Sequence, residues 1–319
     1  MVETQPQDVR GGGDGGSAVE QMERLVSGLV AAVLLAVAAP HCPVAYGGSS
    51  DEQSTPQNEP PSRKTLLKWP GPTHDDHEEP DEPKRLDPDR PHLPESSTAV
   101  GKGRIVLESG YTFTKKGSAF TQSYPEALLR VGLFTDWSEF RLGQSFLSSE
   151  RTKAGVRTRA QGAQDLYLGV KLALVAQQGL LPEIALIPQM TVPTGSRSVG
   201  AGKVLPGLNV DGAWEVNKRV SIELLIGTNE VQDDAHRSHV ELASGLTGVF
   251  SLTPNLETFV EWDAFSPVTS AADAGPRHYA VGGFVYFITK DVEVDIRAGV
   301  GLNQRANDFL AGPGFAVRF

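Results

Sequence analysis

The sequence predicts an all-β fold, an antiparallel transmembrane β-barrel of about twelve strands (roughly 10–14), preceded by a disordered acidic Pro-rich tail. Three observations lead there. From residue 104 onward, segments of alternating apolar and polar residues follow one another with little room for helix. The connections between them alternate between tight turns and long loops, so every tight turn falls at one end. The chain stops on Phe319, at the end of a strand whose apolar set is Phe315, Val317 and Phe319 and whose other set includes Ala316 and Arg318.

The segments divide the chain at residues 46 and 98. Residues 1–46 hold a polar, Gly-rich start, then an apolar run from Leu25 to Ala39. That run is too short for a spanning helix and fits the core of a signal peptide, with cleavage expected near Ala45 and Met22 as a possible start. Its only cysteine, Cys42, lies beside that site, so the mature chain has no thiol for a disulfide or for catalysis. Residues 47–98 carry Pro at 56, 60, 61, 70, 72, 80, 83, 88, 91 and 94, and twelve acidic residues against six basic ones. Such a composition buries little apolar surface, and a disordered periplasmic tail is expected. Residues 99–319 form the barrel, and there acids and bases nearly balance.

The expected strands are 104–113, 125–133, 138–146, 164–176, 183–192, 207–216, 220–227, 239–252, 256–265, 278–288, 292–301 and 310–319. In the fourth, Leu166, Leu168, Val170, Leu172 and Leu174 share a face opposite Asp165, Tyr167, Gly169 and Lys171. In the eleventh, Val292, Val294, Ile296 and Ala298 oppose Glu293, Asp295 and Arg297. In a barrel of the outer-membrane type the apolar sets face lipid and the polar sets the lumen. Tight connections are expected at Phe134–Trp137, Gln177–Pro182, Asn217–Arg219, Thr253–Asn255 and Thr289–Asp291. Long ones are expected at 114–123, 147–163, 193–206, 228–238, 266–277 and 302–309. Trp137, Trp214, Phe250, Phe287 and Phe319 fall near the tight-turn end, and Tyr111, Phe113 and Trp262 near the other, as two interfacial girdles would.

By parity the lumen receives Glu126, Arg130, Glu139, Arg141, Asp165, Lys171, Glu215, Glu223, Glu257, Glu261, Asp263, Asp295, Arg297 and Arg318. The expected substrate path is Arg130, Glu139, Arg141, Asp165, Lys171, Glu223, Glu261, Asp295, Arg297 and Arg318. Both signs of charge fit either a wet channel or ion pairs that hold the lumen shut, and Arg130 and Glu139 face each other across a tight turn. The row Phe315, Val317 and Phe319 is the expected signal to the barrel-assembly machinery. Glu257, Glu261 and Asp263 share a face, but no nucleophile accompanies them in a motif, so no catalytic residue is assigned. The run His74-Asp75-Asp76-His77-Glu78-Glu79 has metal-ligand types without fixed geometry and reads as a solvated acidic run. His236 and His239 read as surface residues. No metal and no cofactor is expected, and the net charge of −10 gives no footprint for nucleic acid.

A resemblance runs through Pro125-Glu126-Ala127-Leu128-Leu129-Arg130-Val131-Gly132-Leu133, Glu139-Phe140-Arg141-Leu142-Gly143, Gln164-Asp165-Leu166-Tyr167-Leu168-Gly169-Val170-Lys171 and Thr191-Val192-Pro193-Thr194-Gly195. It continues through Asp295-Ile296-Arg297-Ala298-Gly299-Val300-Gly301-Leu302-Asn303 and Asn307-Asp308-Phe309 to the terminal strand. This ordered set resembles the MetA-pathway of phenol degradation family over about residues 100–319. One departure is Asn307, where the family pattern leads us to expect Pro. The resemblance implies an outer-membrane β-barrel and, loosely, transport. The expected function is a passive channel or transporter in the outer membrane for small, hydrophobic or aromatic solutes, in contact with the lipid bilayer. A closed binding or structural barrel, an outer-membrane lipid-modifying enzyme and a soluble secreted β-protein stand as alternatives.

Overall fold

The computed structural model describes residues 64–69, 85–233, 237–268 and 275–319. The expected signal peptide, Cys42 and the acidic run at His74 lie outside the described residues. The described residues form fourteen β-strands: β1 (Ile105–Gly110), β2 (Thr112–Lys116), β3 (Ala119–Val131), β4 (Ser138–Lys153), β5 (Val156–Ala163), β6 (Leu166–Val175) and β7 (Glu183–Val192), then β8 (Leu205–Asn217), β9 (Val220–Gln232), β10 (Ser238–Thr253), β11 (Leu256–Pro267), β12 (Arg277–Thr289), β13 (Val292–Gly301) and β14 (Phe309–Arg318). They make one antiparallel sheet, closed by β1 on β14 with Val106 opposite Arg318 and Gly110 opposite Gly314. β1 and β2 lie end to end between β14 and β3, and β5 and β6 lie end to end along β4. Fourteen segments less these two joins leave a barrel of twelve staves, the expected architecture.

The first join has a cause in β14. Pro313 has no N–H to give the ladder, although its carbonyl accepts from the Tyr111 N–H at 3.0 Å. Beside it, the Tyr111 carbonyl oxygen lies 1.7 Å from where a Cβ on Gly312 would sit, so only glycine fits. The second join, at residues 164–165, is where the loop after β7 docks, with Ser196 N–H donating to the Ala163 carbonyl at 2.8 Å.

The barrel is apolar outside and charged inside. On β13, Val294, Ile296 and Val300 are exposed while Glu293 and Asp295 are buried. Glu108, Arg130, Lys171 and Glu293 are fully buried, which a water-soluble sandwich would not tolerate without a polar interior. This inversion is the pattern of a lipid-embedded barrel. The terminal row follows it: Phe315 and Phe319 are exposed, and Val317 is half-buried.

Two of the expected long loops are instead tight hairpins. β2 turns into β3 through Gly117 and Ser118, and β4 into β5 through Ala154 and Gly155, both with positive φ. Residues 114–123 and 147–163 continue the ladder, with Lys116 opposite Ala119 and Lys153 opposite Val156. Their sequences are polar on both faces, so no apolar alternation marks them. The hydrogen-bond ladder does not require an apolar face once the strands rise beyond the lipid. The tight-turn end keeps its character, with connections at 132–137, 176–182, 218–219, 254–255 and 290–291.

Two ring assignments also change. Phe287 is buried inside the barrel, with the Arg85 guanidinium 3.8 Å above its ring, and so leaves the expected girdle. His239 is buried on β10, 4.0 Å from Glu241, and is not a surface residue. At the tight-turn end, residues 64–69 run beside β6. Leu66 and Leu67 N–H donate to the carbonyls of Ala173 and Leu174, and Lys64 pairs with Asp136 at 3.2 Å. The Lys102 N–H at 3.0 Å, with Lys64 adding to it, holds the Asp136 carboxyl below the usual carboxylate range.

Candidate functional site

The lumen is filled from the tight-turn end by the chain's own residues 85–98. Leu86 N–H donates to the Lys290 carbonyl at 2.7 Å, and Gly103 N–H to the Gly132 carbonyl at 2.7 Å. Lys290 and Gly132 both border tight turns, so the segment enters and leaves at the same end. Leu86 packs with Val106, Ala316 and Val100, an apolar lock at the mouth. The segment therefore has a fixed position, and the expectation of disorder through residue 98 is corrected for 85–98. Proline at 88, 91 and 94 keeps it extended and lowers the entropy lost on ordering.

Ion pairs anchor the tip. Asp89 meets Lys171 at 2.6 Å, Arg141 at 2.8 Å and Arg130 at 3.2 Å. Arg130 also grips Glu139 with two nitrogens, at 2.8 and 3.1 Å, and Glu108 at 3.0 Å. Glu108 in turn accepts the N–H groups of Asp89 and Arg90, each at 3.0 Å. Arg90 reaches Glu126 at 3.0 Å and Asp295 at 3.3 Å. A Cβ at Gly110 or Gly314 would lie 2.3 Å from its guanidinium, so both strands are bare where Arg90 crosses them.

The remainder of the segment is held by lumen side chains in turn. The Pro91 carbonyl accepts from Arg297 at 2.8 Å. His92 Nδ1 lies 2.8 Å from Glu223, and its ring stands edge-on to Phe259 with centroids 4.4 Å apart. Leu93 N–H donates to Glu261 at 3.0 Å and Glu95 N–H to Asp211 at 2.9 Å, while the Glu95 carboxylate pairs with Arg141 at 2.5 Å. Nearer the mouth, Arg85 pairs with Glu257.

Of the ten residues expected on a substrate path, eight touch this segment or its continuation at Val100: Arg130, Glu139, Arg141, Lys171, Glu223, Glu261, Asp295 and Arg297. Two do not. Asp165 accepts the N–H groups of Gly195 and Ala201 at 2.8 and 2.7 Å and so pins the loop after β7. Arg318 closes on Asp291 at the rim, at 2.5 Å. Glu215, also placed inside by parity, is exposed at the tight-turn end. Glu108 and Asp211 belong to the site although they were not among the expected residues. Each sits at lumen parity on an expected strand, and that parity is the signal that finds them.

Above the segment, a cavity of about 910 Å³ opens toward the loop end, with Glu95 in its floor and Glu126, Arg141, Asp165, Tyr167 and Gln232 in its walls. Asn307, the departure from the family pattern, donates its N–H to the Tyr279 hydroxyl at 3.1 Å. Proline has no N–H to make that bond.

A family model described as "Putative MetA-pathway of phenol degradation" matches residues 88–319, a span that includes most of the lumen segment. Among solved structures, an outer membrane channel from Pseudomonas putida F1 aligns at TM-score 0.56 and 13% identity, covering 71% of this chain and 99% of that one. The NanC porin aligns at TM-score 0.44 and 11% identity over 67% of this chain and 98% of that one. The KdgM porin aligns at TM-score 0.42 and 9% identity, over 67% and 99%. No curated protein matches the sequence.

Proposed function

The chain belongs to the "Putative MetA-pathway of phenol degradation" family, and from that premise we propose that it is a passive outer-membrane channel for small solutes, narrowed by its own residues 85–98. One observation carries the proposal. The lumen is polar and opens through a 910 Å³ cavity at one end, and the obstruction below it is a segment joined to the wall by ion pairs and hydrogen bonds. A barrel built only as a scaffold gains nothing from a deep open cavity. The tight-turn end faces the periplasm and the loops face outward, the arrangement of bacterial barrels. Glu257 and Glu261 are engaged by Arg85 and by Thr247 and Leu93, which supports a structural over a catalytic role for them.

Swelling of proteoliposomes tests this. Vesicles holding the full chain should swell slowly in isosmotic arabinose, and vesicles holding a chain without residues 85–98 should swell faster. If neither admits arabinose, the barrel is a closed binding or structural protein.

The exposed Phe315 and Phe319, with Val317 between them, make the ending that the assembly machinery reads. The variant Phe319→Ser should be exported normally while the heat-modifiable, membrane-inserted form falls at least several-fold. Unchanged amounts of that form would remove the signal from this residue.

A further inference from the structure

We propose that the outward face of the two projecting hairpins, β2–β3 and β4–β5, binds the phosphate-bearing headgroups of lipids in the outer leaflet. Register puts five side chains in one cross-strand row on that face. Phe309 of β14 lies opposite Lys115 of β2, and Lys115 opposite Phe120 of β3. Phe120 lies opposite Glu150 of β4, and Glu150 opposite Arg159 of β5. This is the lipid side, since Phe309 has the parity of the exposed Phe315 and Phe319 on its own strand.

The row begins at the membrane boundary. Phe319 follows Phe309 by ten residues, which on a strand tilted by about 40° is roughly 25 Å of height, the full apolar band. Phe309 therefore marks the outer edge of that band. Strand tilt makes such rows climb toward the loop end in the direction β14 to β5. One that starts at the tight-turn rim with Ile105 passes Val131 and Phe140 and reaches Val170, midway along β6. Lys115 and Arg159 accordingly stand above Phe309, where headgroups lie.

The chemistry of the face changes in the order a lipid presents. Tyr124 and Phe146, with ring centroids 5.4 Å apart, lie lowest, at acyl-chain level. Gln122, Ser148 and Gln161 follow as a row of amides and a hydroxyl. The cations come next. Two carboxylates accompany them, and both are engaged within the protein. Glu150 is held by Arg157, whose side chain stays 67% exposed. Asp308 accepts the Gly117 N–H at 2.7 Å. Lys115 and Arg159 are exposed and pair with no carboxylate among the described residues. Cations placed so at a membrane surface attract anionic headgroups, and phosphate oxygens accept their N–H groups strongly. A soluble anion would have the cations but nothing to set against the rings below, so the face fits a lipid.

The proposal rests on the outward orientation of the loops and not on conduction. Calorimetry on the refolded full chain in uncharged micelles, corrected against protein-free micelles, tests it with three probes. They are diphosphorylated lipid A, the same glycolipid stripped of its phosphates, and inorganic pyrophosphate. The phosphorylated lipid should bind about tenfold or more tightly than either of the others. The double variant Lys115→Gln/Arg159→Gln, checked for its heat-modifiable form, should lose about tenfold or more. Lys218→Gln/Arg219→Gln, which removes two exposed cations at the tight-turn end, should change binding less than about twofold. Equal binding of the two lipids by the unaltered protein would overturn the assignment without recourse to any variant. Pyrophosphate binding as tightly as the lipid would replace it with a site for free anions. Equal losses in the two variants would reduce it to an effect of net charge, and a folded Lys115→Gln/Arg159→Gln protein that binds normally would remove it from this face. Vesicle swelling moves with none of these outcomes, so the channel reading stands or falls separately.

Discussion

Replacing Arg130 with Met is expected to destabilise the barrel by about 3–5 kcal/mol, measured as a lower urea midpoint for unfolding from lipid vesicles. Arg130 is fully buried, and Asp89, Glu108 and Glu139 converge on its guanidinium. Removing it leaves three buried carboxylates without their shared partner. Breaking a buried pair from one side is far more damaging than replacing both partners. The conservative Arg130→Lys should recover only part of the loss. Glu139 is gripped by two nitrogens at once, and a single ammonium cannot reproduce that fork while also reaching Glu108. A full recovery with lysine would show that charge alone matters there.

The second large effect is expected at Asp89. Its carboxylate meets three lumen cations, Lys171, Arg141 and Arg130, at once. Asp89→Asn preserves shape and removes the charge. If the cations re-pair only partly with Glu139, Glu108 and Glu95, the loss is about 3 kcal/mol, or roughly a hundredfold in the ratio of seated to released segment. The barrel strands themselves lose no ladder bond, so the mutant should still fold and insert. Released segments would be seen as faster proteolysis between residues 85 and 98 in the reconstituted protein. Protection equal to that of the unaltered chain would mean that the backbone bonds, not Asp89, hold the segment.

Much of the barrel was legible in the sequence because lipid imposes a strict period of two. The expected strands 183–192 and 292–301 coincide with β7 and β13, and the lumen pair Arg130–Glu139 follows from parity across a tight turn. The projecting hairpins were not legible, since alternation vanishes once both strand faces meet water. Arg157 pairing with Glu150 there is a cross-strand contact that polar residues make without any apolar signal. The lumen segment was missed for a different reason. Asp87-Pro88-Asp89-Arg90-Pro91-His92 has too little apolar surface to bury on its own account. Its burial is offset by charges on the strands, so composition within the segment could not reveal it. The complementary signal was the lumen itself: Arg141 lies opposite Arg130 and Gly169, and Arg297 opposite Gly283 and Gly312, so neither meets a carboxylate across its own ladder.

Single-channel conductance in a planar bilayer measures most directly whether residues 85–98 narrow the lumen. Three proteins would be compared: the unaltered chain, Asp89→Asn, and a chain lacking residues 85–98. A low conductance with brief openings is expected for the first, longer openings for the second, and a large steady conductance for the third. Equal conductance in all three would mean that residues 85–98 do not obstruct the lumen.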